Sequence, residues 1–357
     1  MLSSLSRRLV PFHILILALC AISPASAQDR LLPVIHFNRL TTADGLPTYH
    51  IRSNVVRDRA GFIWVGTVNG LARYDGYICK VYREFTLPNN AIELFIDSKG
   101  RFWVGKYANG LSLYDPVKDR FVNFLGRRDD SSSLHASYIQ TIYEDQSGIL
   151  WLGTEDDLVS IDLGTASNET NADSVARHVR FRIFPFSGFK DGTAKVERWD
   201  DSSLIVASFG GLFVVDRRTG RISRAGLPRV DGLRLDTLPV NTLFREDPKK
   251  LWIGTVSHGL FLLDQGSGSL TGYHKRPEDG KKPAVDQVQE LQQDNRGRMW
   301  VATGDGVDLF DPLSGSYQDY LSSGGAPGKS MWTRMSVDST GTLWISTADD
   351  GLYYLPY

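Results

Sequence analysis

One short motif recurs along the chain, and this recurrence constrains the fold more than any other feature. Residues 58–76 read DRAGFIWVGTVNGLARYDG, and a weaker copy, DDSSLIVASFGGLFVVD, begins at Asp200. Five further good copies begin at Asp97, Asp145, Asp247, Asp294 and Asp338. Self-similarity of this kind indicates a repeat architecture, in which each unit buries its apolar surface against its neighbours.

The spacing of the copies indicates which repeat architecture it is. Their common aromatic position is held by Trp64, Trp103, Trp151, Trp252, Trp300 and Trp344, and in the weaker copy Ile205 takes its place. Successive marks lie 39 to 54 residues apart, and each interval contains several short strand-like runs. Intervals of this length are typical of propeller blades. The longest interval holds the polar insert TASNETNADS (165–174), which we expect to be a surface loop.

Each unit reads as four short strands with tight turns. Asp58 and Gly61 predict a turn in which the Asp side chain binds backbone amides and the Gly adopts a positive φ. A second Gly, Gly70, is expected to close the next hairpin. Alternating residues of FIWVGT point to opposite faces, and both faces are largely apolar. The pattern therefore predicts a sheet packed between two neighbours, with Trp64 filling the space between blades.

The ends of the chain predict a closed ring. The last copy ends at GLYYLPY without a fourth strand, whereas VIHFNRL (34–40) precedes the first complete unit. If this N-terminal segment supplies the missing outer strand, no sheet edge is left exposed. We therefore predict an all-β fold, a single seven-bladed propeller over residues 28–357, with no evident helix.

The first 27 residues predict export. Arg7 and Arg8 precede an apolar run, and Ala25-Ser26-Ala27 resembles a cleavage site before Gln28. This is the pattern of a secretory signal peptide, so the mature chain is expected in the periplasm. Cleavage would leave Cys79 without a disulfide partner in the chain. The formal net charge of −1 indicates no attraction to nucleic acid or an anionic membrane.

The repeat resembles the two-component regulator propeller repeat, approximately D-x-x-G-x-[IL]-W-[IV]-G-T-x-x-G-[LI]-x-x-[YF]-D. The segment FNRLTTADGLPTYHIRSNVVRDRAGFIWVGTVNGLARYDGYICKVY looks like the start of the periplasmic sensor region of hybrid histidine kinases and diguanylate-cyclase receptors. The resemblance covers nearly the whole mature chain and implies a sensing role. Family members usually add a second propeller, an immunoglobulin-like domain, a membrane span and an output module, none of which the sequence shows. A membrane-bound histidine kinase or cyclase is the partner that the resemblance implies.

Catalysis is the less favoured interpretation. A sialidase Asp box, S-x-D-x-G-x-x-W, has one residue between Asp and Gly, whereas Asp58 and Gly61 have two between them. The pairs Asp156-Asp157 and Asp349-Asp350 could suggest a glycosidase or a metal site, but adjacent residues of an extended chain point to opposite faces. The histidines show no metal-ligand spacing. We therefore expect no catalytic residues, metal or cofactor, with a propeller lyase or glycosidase kept as an alternative.

Ligand-binding residues are expected where the repeat varies. The turns after W-x-G-T and the connections between blades should ring one mouth of the channel, and these turns differ from copy to copy. Aromatic rings next to Asn, Asp and His suit a saccharide or another extracellular small molecule. The candidate ligand-binding residues are Asn69, Tyr107, Asn109, Asp156, Phe209, His258, Asp305, Trp332 and Asp349. The other open interpretation is a protein-interaction platform that docks another periplasmic receptor.

Overall fold

A computed structural model describes residues 35–86, 88, 90–124, 134, 138–166, 168–185, 192–274, 287–304, 306–322 and 332–357. Residues 36–357 form one unit. The predicted signal peptide, residues 1–27, lies outside the described residues. Within the described ranges, the structure contains no helix with the length and apolarity needed to cross a membrane.

Seven antiparallel four-stranded sheets form the blades of a propeller, and this confirms the predicted fold class. Blades 1 and 2 contain β2 (Ile51–Arg57), β3 (Ile63–Thr67), β4 (Asn69–Tyr74) and β5 (Cys79–Thr86), then β6 (Ala91–Ile96), β7 (Phe102–Lys106), β8 (Leu111–Asp115) and β9 (Arg120–Phe124). Blades 3 and 4 contain β10 (Ile139–Glu144), β11 (Leu150–Thr154), β12 (Asp157–Asp162) and β13 (Arg180–Pro185), then β14 (Thr193–Arg198), β15 (Ser203–Ser208), β16 (Gly211–Asp216) and β17 (Ile222–Arg224).

The second half of the ring follows the same plan. A two-stranded ribbon, β18 (Arg229–Val230) and β19 (Leu233–Arg234), precedes blade 5. Blades 5 and 6 contain β20 (Val240–Arg245), β21 (Lys250–Thr255), β22 (Leu260–Asp264) and β23 (Ser269–Tyr273), then β24 (Val288–Gln293), β25 (Met299–Thr303), β26 (Gly306–Asp311) and β27 (Ser316–Ser322). Blade 7 contains β28 (Trp332–Val337), β29 (Leu343–Thr347) and β30 (Leu352–Leu355). The first strand of each blade contacts the first strand of the next, including β28 with β2.

The N-terminal strand closes the ring as predicted, although it is shorter than the segment 34–40. β1 (Asn38–Leu40) pairs antiparallel with β30 and supplies the fourth strand of blade 7. Arg39 donates from Nε to the backbone oxygen of Asp350 at 2.8 Å and forms an ion pair with its carboxylate. The edge of β30 is therefore paired instead of exposed.

The Asp of each regular repeat serves both the turn and the tryptophan. In blade 1, Oδ1 of Asp58 accepts from the amides of Ala60 and Phe62 at 2.9 and 3.0 Å. Gly61 adopts the predicted positive φ, 92°. The second oxygen, Oδ2, accepts from Nε1 of Trp64 at 2.7 Å. Four further blades repeat the bond to the indole at 2.9–3.0 Å, through the pairs Asp97–Trp103, Asp145–Trp151, Asp294–Trp300 and Asp338–Trp344.

Each of these indoles packs against the following blade. Trp103 is fully buried with Ile142, Leu150 and Leu152 of blade 3. Trp344 packs with residues of blade 1, so the same contact also closes the ring. A buried indole keeps its favourable apolar contacts without loss only if its N–H has an acceptor, and the turn carboxylate supplies it.

The Gly of W-x-G-T is explained by close approach of the next blade. A Cβ on Gly105 would lie 2.8 Å from Cγ2 of Ile139, the first residue of β10. A Cβ on Gly254 would lie 2.6 Å from Cγ1 of Val288, the first residue of β24. Contacts this short are repulsive, so a residue without a side chain lets neighbouring blades approach.

One local prediction was wrong. The insert 165–174, expected to be a surface loop, leads into a short helix, α1 (Ala172–His178). The side chain of Asn171 caps it by accepting from the Ser174 amide at 3.0 Å. Ala172 and Val175 are buried against the core between blades 2 and 3. The two apolar side chains lie three residues apart and therefore share one helix face. Their burial stabilises the helix although most of the insert is polar.

The packing predicts that Trp103→Ala lowers the free energy of unfolding by about 3–5 kcal/mol, because it leaves a cavity between two blades. Asn69→Ala, at an exposed mouth position, should have almost no effect. Chemical denaturation of both variants measures the difference. If Trp103→Ala kept its stability but lost ligand binding, the tryptophans would belong to a site and not to the scaffold.

Candidate functional site at the channel mouth

The turn between the second and third strands of a blade lies beside the connection that enters its first strand. The amide of Val68 donates to the carbonyl of His50 at 3.2 Å, and the amide of Tyr107 donates to that of Asn90 at 2.9 Å. Blade 5 repeats the contact between Val256 and Pro239 at 3.0 Å. These loops therefore form one end of the propeller, which we call the mouth.

The candidate residues are distributed around the mouth. Tyr107 and Phe209 are 53% and 42% exposed, and both rings are therefore accessible. Asn69, Asn109, Asp156 and Asp349 are also exposed. Asp305 lies outside the described residues, and Trp332 begins β28 but its side chain is not described.

The structure brings only some of these residues into contact with another loop. The ring of Tyr107 lies 4.9 Å from that of Tyr138, which places an aromatic pair between blades 2 and 3. Asn69 donates to the carbonyl of Pro47 at 3.3 Å. His258 contacts its own turn, with Nδ1 2.9 Å from Oγ of Ser257. The tyrosine pair is therefore an aromatic contact between the loops of two blades.

The two carboxylate pairs are divided between solvent and the turn. Asp156 is exposed, whereas the amide of Asp157 donates to Oγ1 of Thr154 at 2.9 Å. Asp349 is exposed, whereas Asp350 is buried and pairs with Arg39. In each pair one residue is therefore exposed and its neighbour is more buried, as expected for adjacent residues of an extended chain.

Below the mouth, four charged residues enter the channel from four blades. Glu93, Lys195, Glu290 and Arg334 follow the start of the first strands β6, β14, β24 and β28, and each lies at a break in the strand register. We call these residues the channel quartet. The equivalent positions in blades 3 and 5 hold Thr141 and Thr242. A bulge re-aims a side chain, and here it directs one charged residue of each strand into the channel.

The contacts of the channel quartet cross the channel. Nη2 of Arg334 in blade 7 donates to the carbonyl of Gln140 in blade 3 at 3.2 Å. Nζ of Lys195 in blade 4 lies 3.5 Å from Glu290 in blade 6. These blades are not neighbours, so the side chains meet near the channel axis. The channel under the mouth therefore has a polar, charged floor.

Burial and opposite charge set the ionisation of these groups. Burial raises the pKa of Glu93, although Arg334 and Lys195 act in the opposite direction. Burial by itself would lower the pKa of Lys195, but Glu290 and Glu93 outweigh it and raise this pKa. The pKa of Arg334 is raised in the same way by Glu93 and Glu290, so both cations favour their charged forms despite burial.

The channel quartet was not among the residues predicted from the sequence. A signal was present, since each of its members lies ten residues before the repeat's aromatic position. At the same offset lie Asn54, Thr141 and Thr242. All seven positions are polar. Aligning the repeats on the tryptophan would have shown this ring.

A second departure from the repeat lies under the mouth loop of blade 2. Lys106 occupies the position of the repeat's Thr and is only 4% exposed. Nζ donates to Oδ1 of Asn123 at 3.0 Å. Burial lowers the pKa of Lys106 to about 8. A buried ammonium group with an uncharged acceptor costs stability as long as it remains protonated.

The burial of this charge predicts that Lys106→Met increases the free energy of unfolding in a pH-dependent way. The substitution keeps an aliphatic side chain and removes the charge. The folded pKa lies below the unfolded value of 10.5, so the cost is present below pH 8 and disappears as pH rises from 8 to 10.5. The variant should be more stable than the wild type at pH 7, by up to about 3 kcal/mol. Denaturation at pH 7 and pH 10 tests this.

The control for this experiment is Lys99→Met, at an exposed lysine in the same blade. Its stability should follow that of the wild type at both pH values. An equal gain for Lys106→Met at pH 7 and pH 10 would contradict the assignment of the cost to the buried charge.

Comparison with known proteins supports the resemblance that the sequence predicts. A family model described as "Two component regulator propeller" matches residues 133–156, which lie in the third repeat. A curated relative, histidine kinase P4 of Formosa agariphila, is 24% identical over 206 residues. That alignment covers 56% of this chain and 14% of the kinase.

Solved structures share the fold. The extracellular domain of a putative hybrid two-component system of B. thetaiotaomicron is 19% identical with a TM-score of 0.68, covering 90% of this chain and 42% of that one. Virginiamycin B lyase from Staphylococcus aureus, solved with quinupristin, is 14% identical with a TM-score of 0.63, covering 90% and 99% of the two chains. The chain thus spans less than half of the first structure and a small part of the kinase. At these identities the structural likeness shows the fold alone.

Proposed function

We propose that this chain is a periplasmic ligand-sensing propeller of a two-component-type signalling system. It binds an extracellular small molecule, in the first instance a saccharide, at the mouth and does not transform it. A membrane-bound histidine kinase or cyclase would transmit the signal. The observation that carries the proposal is the floor of the channel: side chains from non-neighbouring blades meet below a mouth of variable loops.

The mouth has the chemistry that such a ligand needs. The aromatic pair Tyr107 and Tyr138 offers a surface for the C–H face of a sugar ring. Exposed Asn69 and Asp156 offer hydrogen bonds at the rim, and the channel quartet offers both donors and acceptors at the floor. An apolar wall with a few fixed polar groups is the usual composition of a small-molecule site.

Two other functions remain as alternatives. An interaction platform is favoured by exposed apolar residues on hairpin turns at the end opposite the mouth: Tyr77 is 88% exposed and Val117 is 90% exposed. A lyase is favoured by the fold that the chain shares with virginiamycin B lyase. Fold likeness does not assign chemistry, so the lyase alternative rests on the shared fold alone.

A thermal-shift panel of mono- and oligosaccharides and other metabolites, applied to residues 28–357, tests the proposal. We expect at least one ligand to raise the melting temperature. Tyr107→Ala should weaken its binding by about tenfold or more, because a stacking surface at the mouth is removed. Tyr77→Ala, an exposed ring at the opposite end, is the matched control and should bind like the wild type.

The alternatives predict different results. No ligand in the panel, together with a receptor that co-purifies from the periplasm, would support the interaction platform and contradict small-molecule sensing. Turnover of a bound ligand, lost in Asp156→Asn without loss of folding, would contradict the non-catalytic proposal.

A further inference from the structure

A cleft lies at the end of the propeller opposite the mouth, between the turns of blades 3, 4 and 5. We call this end the turn face, because it carries the Asp-containing turns between first and second strands. The cleft has a volume of about 570 Å³, which lies within the usual range for ligand sites. Its walls include Tyr143, Glu197, Trp199, Arg245, Pro248 and Gln265.

The cleft opens where two adjacent repeats depart from the common pattern. In blade 4, Ile205 stands in the tryptophan position, and Trp199 stands six residues before it, where regular blades hold the turn Asp. In blade 5, Trp252 donates to Glu246 at 2.8 Å. Asp247 there accepts only from backbone amides among its described hydrogen bonds. Blade 4 therefore lacks the pairing of Asp with indole and carries an aromatic side chain in its turn, whereas blade 5 keeps a carboxylate–indole bond with Glu246 in place of the Asp.

The polar groups of the cleft are held in fixed positions by the protein. Nη1 of Arg245 donates to Oε1 of Gln265 at 2.6 Å, and Nη2 donates to the carbonyl of Arg198. Gln265 in turn donates from Nε2 to the carbonyl of Trp199 at 3.2 Å. These contacts join blades 4 and 5 and orient two planar side chains along one wall. Groups that are already oriented lose less conformational entropy when a ligand binds.

The apolar side chains of the cleft are also held in place by packing. Trp199 is half-buried and packs against the core between blades 4 and 5. Pro248 adds a second apolar surface from the turn of blade 5, and Tyr143 comes from β10 of blade 3. A rigid indole supported from behind is suited to stacking against a flat apolar face.

The charges of the walls indicate a neutral ligand. Acidic side chains outnumber basic ones in the lining, which includes Glu197, Asp200, Asp201, Asp247, Arg198 and Arg245. Asp200 and Asp247 accept from backbone amides of their own turns, and Asp201 pairs with Arg198. Glu197 comes from β14 and lines the cleft together with Arg245. An anion would meet this carboxylate, and a cation would meet the guanidinium, so either ion would face a like charge. A hydroxyl group both donates and accepts, and it can therefore satisfy the carboxylate, the guanidinium and the amide of Gln265.

We propose that this cleft is a second binding site, which takes a neutral oligosaccharide on the turn face. One sugar ring stacks on Trp199, and its hydroxyls bind Glu197, Arg245 and Gln265. The site is separate from the mouth and does not require that the mouth bind a ligand.

Calorimetry with neutral oligosaccharides of defined linkage, such as xylo-, manno-, malto- and arabino-oligosaccharides, tests the proposal on residues 28–357. We expect one series to bind. Glu197→Gln and Gln265→Ala should weaken that binding by about tenfold or more, because each loses a fixed hydrogen-bond partner. Tyr77→Ala and Lys99→Met, at exposed turn positions of blades 1 and 2 that line neither site, are the controls and should change it by less than about twofold.

A second measurement reports on the position of the ligand without loss of the stacking residue. The measurement is fluorine NMR of protein labelled with 5-fluorotryptophan. The resonance of Trp199 is identified as the one that is missing from the spectrum of Trp199→Phe. The oligosaccharide should shift this resonance and leave that of the buried Trp103 unchanged.

Two other outcomes would overturn the cleft proposal, and neither of them contradicts the proposed sensor function. Binding that is lost in Tyr107→Ala but unchanged in Glu197→Gln and Gln265→Ala would place the oligosaccharide at the mouth, so the sensor proposal would stand. If no neutral oligosaccharide binds, the cleft proposal fails, while binding of any other metabolite at the mouth would preserve the sensor proposal.

Discussion

The structure depends on the burial of one indole between each regular blade and the next. An indole in this position contributes a large apolar area, but its N–H needs an acceptor. The repeat supplies that acceptor from its own turn, where Asp97 binds turn amides with one oxygen and Trp103 with the other. One carboxylate thus fixes the turn, satisfies the indole and orients it towards the following blade. Because each regular blade contributes this contact, the ring is held by packing between neighbours, and no disulfide is present among the described residues.

This arrangement explains where the protein can vary. Gly105 must stay small because Ile139 approaches it, and Trp103 must stay large because it fills the gap beside β10. The mouth loops and the first-strand bulges carry no such requirement. They hold the tyrosine pair, the channel quartet and the buried Lys106, which replaces a repeat threonine at a cost in stability. The cleft proposed as a second site lies beside blade 4, which lacks the Asp–indole pairing, and blade 5, where Glu246 replaces the Asp. Both candidate sites therefore occur at departures from the repeat.

The sequence predicted the features that repeat, and it predicted less well those that occur once. Blade number, ring closure, the Asp58–Gly61 turn and the buried tryptophans follow from periodicity and residue type. The helix α1 was missed because its insert is mostly polar and its burial depends on Ala172 and Val175 meeting a neighbouring blade. The hydrogen-bond acceptor of each indole was not predicted. Only one of the two carboxylate oxygens of the turn Asp had been given a role, as an acceptor for the turn amides. The cleft could not be predicted, because Glu197, Arg245 and Gln265 lie far apart in sequence and meet only in the folded ring.

The central claim is that the repeated residues are scaffold and that ligands act on the residues that do not repeat. Hydrogen–deuterium exchange of residues 28–357, with and without the sugar or metabolite that gives the largest thermal shift, tests it most directly. The account predicts that protection changes only in mouth loops such as 106–110 and at 138–141, or in the turn-face segment 197–201. The strands that carry the tryptophans, such as β7 and β11, should exchange unchanged. A ligand-dependent change centred on those strands, with the mouth loops and the turn face unaffected, would contradict the account.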